Sequence, residues 1–205
     1  MTNVTIIGAG IMGSAIAGIA LAGGNSVQVL ARAADKAEVN AQVNAGVVGD
    51  PITGDVVILA LPYPAVAEVL DTYAGQLDGK VLVDLTNPLD FSTFDDLVVP
   101  ADSSAAAQIA AKVPGAKVLK ALNPNFAATL ATGSVGNAAK TTVLIAGDDA
   151  DAKATFASII EGGGLNAVDA GSLKRARELE SLGFLQLTLA AGEKTSWTAG
   201  FALVK

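Results

Sequence analysis

The residues best suited to hold a charged ligand are Gly8, Ala9, Gly10, Ile11, Met12 and Gly13, directly behind a β-branched run at 4–7. A glycine turn between a strand and a helix start aims backbone N–H groups at a pyrophosphate. Such a string is weak evidence alone, but here its surroundings agree with it. A small-residue helical stretch at 14–22 follows, and a second strand pattern at 26–30 comes at the expected distance. NAD-binding chains usually place Asp or Glu about 20 residues beyond the glycines, to accept from the ribose hydroxyls. This chain instead reads Val29-Leu30-Ala31-Arg32, with no carboxylate before Asp35. A guanidinium matches a 2′-phosphate through two parallel charge-assisted bonds, and Lys36 adds a point charge. The pattern predicts an NADP(H) site. Arg32 is one of only three arginines, and Ala31, Ala33 and Ala34 around it are small.

Alternating apolar strands and helices must position these residues. Strands are predicted at 4–7, 26–30, 56–61, 80–85, 117–122, 141–146 and, briefly, 166–169. Helices are predicted at 14–22, 35–44, 65–73, up to Lys112 behind a cap at Asp102 or Ser103, before Gly133, at 148–160 and at 172–191. The segment between Arg32 and Val56 is short for two units, so the third strand is expected to be reduced or missing. The pattern implies an α/β fold of Rossmann type: a doubly wound, mostly parallel sheet with a short C-terminal α/β extension. Residues 1–146 would form the nucleotide-binding domain and 147–205 an extension packed on it, in one body. Ligands of such sheets lie outside the carboxyl ends of the strands. Those ends carry the glycine turn, Arg32, Leu61-Pro62-Tyr63, Asn87-Pro88 and Ala121 to Asn123. Tyr63 can wall a ring of the cofactor or can simply pack; both readings stay open.

Composition removes whole classes of chemistry. There is no cysteine and no histidine among 205 residues. Disulfides, thiolate nucleophiles, the usual zinc sites, Ser-His-Asp triads and histidine acid/base catalysis are therefore excluded. The Tyr-x-x-x-Lys pair is missing too, because Ala67 follows Tyr63 and Leu77 follows Tyr73 at that spacing. An enzyme built this way must need little proton transfer from its own side chains. A net charge of −7 without a basic tract argues against nucleic acid. No charge precedes Arg32, yet glycines 8, 10 and 13 interrupt that stretch and no basic n-region opens it. A cytoplasmic chain with no membrane span is expected.

Two charged clusters lie outside this scheme. A loop of about fifteen residues carries Asp90, Asp95 and Asp96 with Phe91 and Phe94; the acids lack a cation-binding spacing and read as solvated. Lys174, Arg175 and Arg177 stand at a helix start, against its dipole, where Lys174 and Glu178 form an i,i+4 pair. That cluster is expected to face acids elsewhere in the fold, a partner subunit or an anion.

Taken together, the chain resembles the F420-dependent NADP reductases and their small bacterial relatives over nearly its whole length. The resemblance rests on residues 7–13, on Ala31-Arg32 with Lys36, and on Leu61-Pro62. It rests further on residues 83–89, Lys120-Ala121-Leu122-Asn123, residues 173–183 and the ending 197–205. It implies that the 2′-phosphate lies at Arg32 and Lys36 and the nicotinamide near Ala121 and Asn123. A deazaflavin (coenzyme F420) or a flavin would face that ring, with direct hydride transfer and the chemistry carried by the cofactors. A homodimer acting on a small molecule goes with it. Relatives that use F420 usually carry a hydroxyl residue before the arginine, where this chain has Ala31. Two rivals remain. One is an NADPH-dependent imine or carbonyl reductase; pyrroline-5-carboxylate reductases share the Gly-Ala-Gly-x-Met-Gly opening but add a helical domain for which this chain ends early. The other is a sensor that binds NADP(H) without turnover.

Overall fold

β-Branched runs hold the centre of the fold because both faces of a parallel sheet are covered. The computed structural model describes residues 1–204, with the backbone alone at residues 34 and 35; Lys205, which closes the last matching block, lies outside the described residues. The strands are β1 (Asn3–Ile7), β2 (Ser26–Ala31), β3 (Asn44–Val47), β4 (Val56–Leu59), β5 (Val81–Asp84), β6 (Lys117–Ala121), β7 (Ser134–Val135), β8 (Ala139–Lys140), β9 (Thr142–Gly147) and β10 (Asn166–Gly171). Between them run α1 (Ile11–Ala22), α2 (Ala34–Ala37), α3 (Val66–Thr72), α4 (Ala105–Lys112), α5 (Ala127–Thr132), α6 (Ala150–Gly162) and α7 (Ala176–Ala191). Eight strands form one sheet in the order β10-β9-β6-β5-β4-β1-β2-β3, and β7 with β8 makes a separate hairpin.

Strands β1 to β6 are parallel; β9 runs antiparallel to β6, and β10 parallel to β9. The sheet is thus mostly parallel, and its last two strands extend it without a break. Every residue of β4 and β5 is buried. One apolar cluster lies under α1 and α6, with Ile16, Ile19, Phe156 and Ile159 against Ile6, Ile58 and Val83. The other lies under α3 and α4, with Leu70, Tyr73 and Ile109 against Ile7, Val57 and Leu82. Strand order reverses between β1 and β4, so the ligand crevice of the fold opens there.

Four expectations need correction. The helix expected at 35–44 is only the four residues of α2. Asn40 accepts the Gln42 N–H at 2.9 Å, a local turn that competes with helical bonding. Residue 44 instead begins β3, a reduced third strand paired with β2 from Gln28↔Asn44 to Ala31↔Val47. The cap of α4 is Ser104, whose hydroxyl accepts from Ala107 N–H at 3.0 Å; Ser103 is spent in a turn back to the Pro100 carbonyl. The last helix opens as a 3-10 turn over Leu173–Arg175 before α7. That turn sets Arg175, not Lys174, against Glu178, at 2.9 Å. Beyond α7 the chain is tied back by the Gln186 amide, which accepts Phe201 N–H at 2.7 Å and donates to the Pro124 carbonyl. Trp197 packs on Phe126 with ring centroids 4.9 Å apart.

Candidate functional site: a dinucleotide crevice

The turn after β1 needs glycine at two positions for contact reasons. Gly8 has φ +116°, and a Cβ there would stand 2.1 Å from the Ala60 carbonyl oxygen. A Cβ at Gly13 would stand 2.0 Å from the Gly8 carbonyl oxygen. The turn is therefore pressed against the residue that continues β4, and α1 starts directly upon it. Gly10 differs: it is exposed, and an added Cβ would have nothing within 4 Å. Helix α1 begins there without a side-chain cap and without an acidic residue in its first turn. The N–H groups of Ile11, Met12 and Gly13 precede the first helical bond, from Ser14 N–H to the Gly10 carbonyl. An uncompensated helix start beside an open glycine has the chemistry to receive a phosphate.

Sheet order distributes the other candidates to either side of this seat. Arg32, exposed just past β2, makes no ion pair with a described residue, and the exposed Lys36 lies in the last turn of α2. Leu61, Pro62 and Tyr63 follow β4 on the opposite side of β1. The half-buried Tyr63 donates its hydroxyl to Gln108 Oε1 on α4. Its hydroxyl is held above the ordinary tyrosine value, first by burial and then by the nearby Glu180 and Asp84 carboxylates. Pro88 and Ala121 are buried, so they can shape a floor but offer no exposed side chain.

Asn87 and Asn123 lock the ends of β5 and β6 together. Asn87 Nδ2 donates to the Asn123 carbonyl and Asn123 Nδ2 donates to Asn87 Oδ1, each at 3.0 Å. Asn123 Nδ2 also donates to the Leu179 carbonyl on α7 at 2.7 Å. Leu122 between these strands' ends has φ +67°, a costly conformation for a non-glycine residue, held by full burial. Asn123 Oδ1 and Thr86 Oγ1 are buried with no hydrogen-bond partner among the described residues. Helix α7 reaches this lock only because residue 183 is glycine; a Cβ there would lie 2.4 Å from Asn87 Oδ1 and 2.9 Å from Asn123 Nδ2. Gly183→Ala should therefore cost about 1–3 kcal/mol by overpacking, seen as a Tm lower by several degrees in a thermal melt.

Sequence reasoning missed an ion triad beneath the same strand ends. Lys120 is fully buried, with Nζ 2.8 Å from Asp84 Oδ2 and 3.0 Å from Glu180 Oε1. It also donates to the Thr86 carbonyl at 2.6 Å, while Asp84 accepts Thr86 N–H at 2.8 Å. Glu180 accepts the Ala105 and Ala106 N–H groups that open α4. One lysine thus joins β5, β6, α4 and α7 behind the crevice. Lys120 and Asp84 were visible as charges inside apolar strand runs, and buried charges demand partners. Glu180, on a distant helix, carried no such signal.

With this geometry in view, comparison with known proteins points the same way. Residues 3–88 match the family of coenzyme F420-dependent NADP oxidoreductases. A solved structure from Arthrobacter sp. FB24, described as a candidate F420-dependent NADP reductase, aligns over 100% of both chains with TM-score 0.82 at 26% identity. The first part of the chain, residues 3–88, thus carries the pattern of the F420-dependent NADP oxidoreductase family, and the whole chain shares the fold of the Arthrobacter structure. A hypothetical protein of Sinorhizobium meliloti is similar at 31% identity and TM-score 0.75, over 84% of this chain and 86% of that one. The F420-dependent NADP reductase of Methanocaldococcus jannaschii is 29% identical over 133 residues, 63% of this chain. The chain spans 59% of that reductase's length.

Local contacts tie parts of the two outlying charge clusters into the fold. Asp90 accepts the N–H and hydroxyl of Ser92, which hold its carboxyl below the ordinary aspartate value. Phe91 and Phe94 meet edge to face at 5.7 Å. Among the described residues no three acids gather as a metal site. The Asp148 carboxylate accepts Leu173 N–H at 3.0 Å and so anchors the turn that carries Lys174 and Arg175.

Proposed function

We propose that this chain binds NADP(H) along the crevice and moves a hydride between the nicotinamide and a deazaflavin (coenzyme F420) or flavin-like acceptor. The observation that carries the reading is the open Gly10 edge beside an uncapped helix start, with the Arg32 guanidinium at the end of the adjoining strand. These donors fit a dinucleotide with a 2′-phosphate. When bound, the nicotinamide supplies the hydride chemistry. The chain's residues bind, orient and exclude water. Backbone N–H groups of residues 8–13 receive the pyrophosphate, and Arg32 with Lys36 receives the 2′-phosphate. Leu61, Pro62 and Tyr63 wall the crevice; Asn87, Pro88, Ala121 and Asn123 form the floor below the nicotinamide. Residues 1–146 form the cofactor-binding part in this reading, and 147–205 the extension. The family name and the similarity to the Methanocaldococcus jannaschii reductase support the acceptor choice.

A homodimer in the cytoplasm belongs to the same reading. Exposed Leu185, Phe201 and Leu203 on α7 and the tail support an apolar contact, and sedimentation at several concentrations tests it. Among the described residues no helix is long and apolar enough to cross a membrane.

Following NADPH absorbance against F420, flavins, imines and carbonyls tests the reaction. Turnover with F420 or a flavin is expected; tight NADPH binding with no acceptor turned over would leave a sensor instead. NADPH should bind at least about tenfold more tightly than NADH, and Arg32→Glu should remove most of that preference, a change of about 2 kcal/mol. Calorimetry decides it, and an unchanged NADPH-to-NADH ratio in the variant rules Arg32 out as the discriminator.

A further inference from the structure

The glycine turn at β1 and Arg32 at β2 assign the pyrophosphate and the adenosine to one side of the crevice. The remaining half of a dinucleotide must then extend over the ends of β4, β5 and β6. Directly behind the last two of those ends lies the Asp84–Lys120–Glu180 triad. Both acids act only as acceptors, from N–H groups and from Lys120, the bonding pattern of ionised carboxylates. Two carboxylates against one ammonium leave a formal charge of −1. The start of α4 contributes about half a positive charge, so the cluster stays negative. The crevice lies within reach of its charge: the Tyr63 hydroxyl there is held up first by burial and then by the Glu180 and Asp84 carboxylates.

We infer that the Asp84–Lys120–Glu180 cluster tunes the redox balance of the bound cofactor, favouring the oxidised pyridinium over the neutral dihydropyridine. The inference rests on the NADP(H) reading above. On giving up a hydride (a proton and two electrons) to a deazaflavin or flavin-like acceptor, the dihydronicotinamide ring becomes a cation. The two forms of the cofactor thus differ by one positive charge at the ring. Excess negative charge behind the strand ends, where water cannot screen it, stabilises the cationic form and drives the hydride outward. Asp84, Lys120 and Glu180 act here through their field and not by touching the ring.

The test is the ratio of dissociation constants for NADP+ and NADPH, measured by calorimetry without any acceptor. Glu180→Gln and Asp84→Asn each remove one negative charge, and each should raise Kd(NADP+)/Kd(NADPH) by about tenfold. A tenfold change corresponds to about 30 mV in the potential of a bound two-electron couple. A merely structural role would weaken both ligands together and leave the ratio where it was. Ratios within twofold of wild type in the variants that bind would overturn the inference. Wild type gives its own measure should neither variant fold: it is expected to bind NADP+ at least as tightly as NADPH, and a tenfold preference for NADPH would overturn the inference. Wild type binding neither form would instead remove the NADP(H) reading, and the inference with it.

Discussion

Replacing Lys120 with methionine should lower the unfolding free energy by about 3–5 kcal/mol, the usual cost of removing one partner from a buried ion cluster. Asp84 and Glu180 are 0% and 1% exposed, so neither can turn to water when the ammonium is gone. The Thr86 carbonyl loses its donor at the same time. For a chain of this size each kcal/mol moves the midpoint by about 2–4 °C, which puts the expected Tm loss near 10 °C. Neutralising all three members, as Asp84→Asn with Lys120→Met and Glu180→Gln, should recover much of that loss, because no bare charge is then left inside. Thermal and urea unfolding of the two proteins make the comparison. A single variant as stable as wild type would show that the cluster is hydrated or neutral in solution.

The sheet was readable because its central strands are made of little but β-branched and leucine side chains, as Val56-Val-Ile-Leu59 shows. Strand β3 was not, since Asn44-Ala-Gly-Val47 lies at the sheet edge, partly exposed, with no apolar period of its own. The β7–β8 hairpin does carry a local signal, the pair Gly136-Asn137, whose residues both take positive φ, +58° and +57°, as a tight hairpin turn requires. The reversed direction of β9 had none, because direction follows from how the intervening helix and hairpin pack and not from local preference. Within the site, the glycine turn announced itself through spacing. The asparagine lock, its dependence on Gly183 and the reach of Glu180 to α4 are contacts between distant segments, and no local pattern encodes them.

Gly8 and Gly10 should fail in opposite ways, and the contrast separates fold from cofactor binding. Gly8→Ala places a methyl group 2.1 Å from the Ala60 carbonyl oxygen on a backbone at φ +116° that alanine rarely adopts. The turn must move away from β4, so both stability and NADPH affinity should fall, the former by about 3 kcal/mol or more. Gly10 has φ −75° and empty space around its missing Cβ. Gly10→Val should therefore leave the Tm within a few degrees of wild type. Its side chain nonetheless occupies the ground where a pyrophosphate would approach the N–H groups of α1. NADPH affinity should drop at least about a hundredfold, roughly the loss of two charge-assisted hydrogen bonds. Calorimetry and a thermal melt on the same preparation read both quantities. A Gly10→Val protein that stays folded and still binds NADPH like wild type would mean that the cofactor does not lie on this turn.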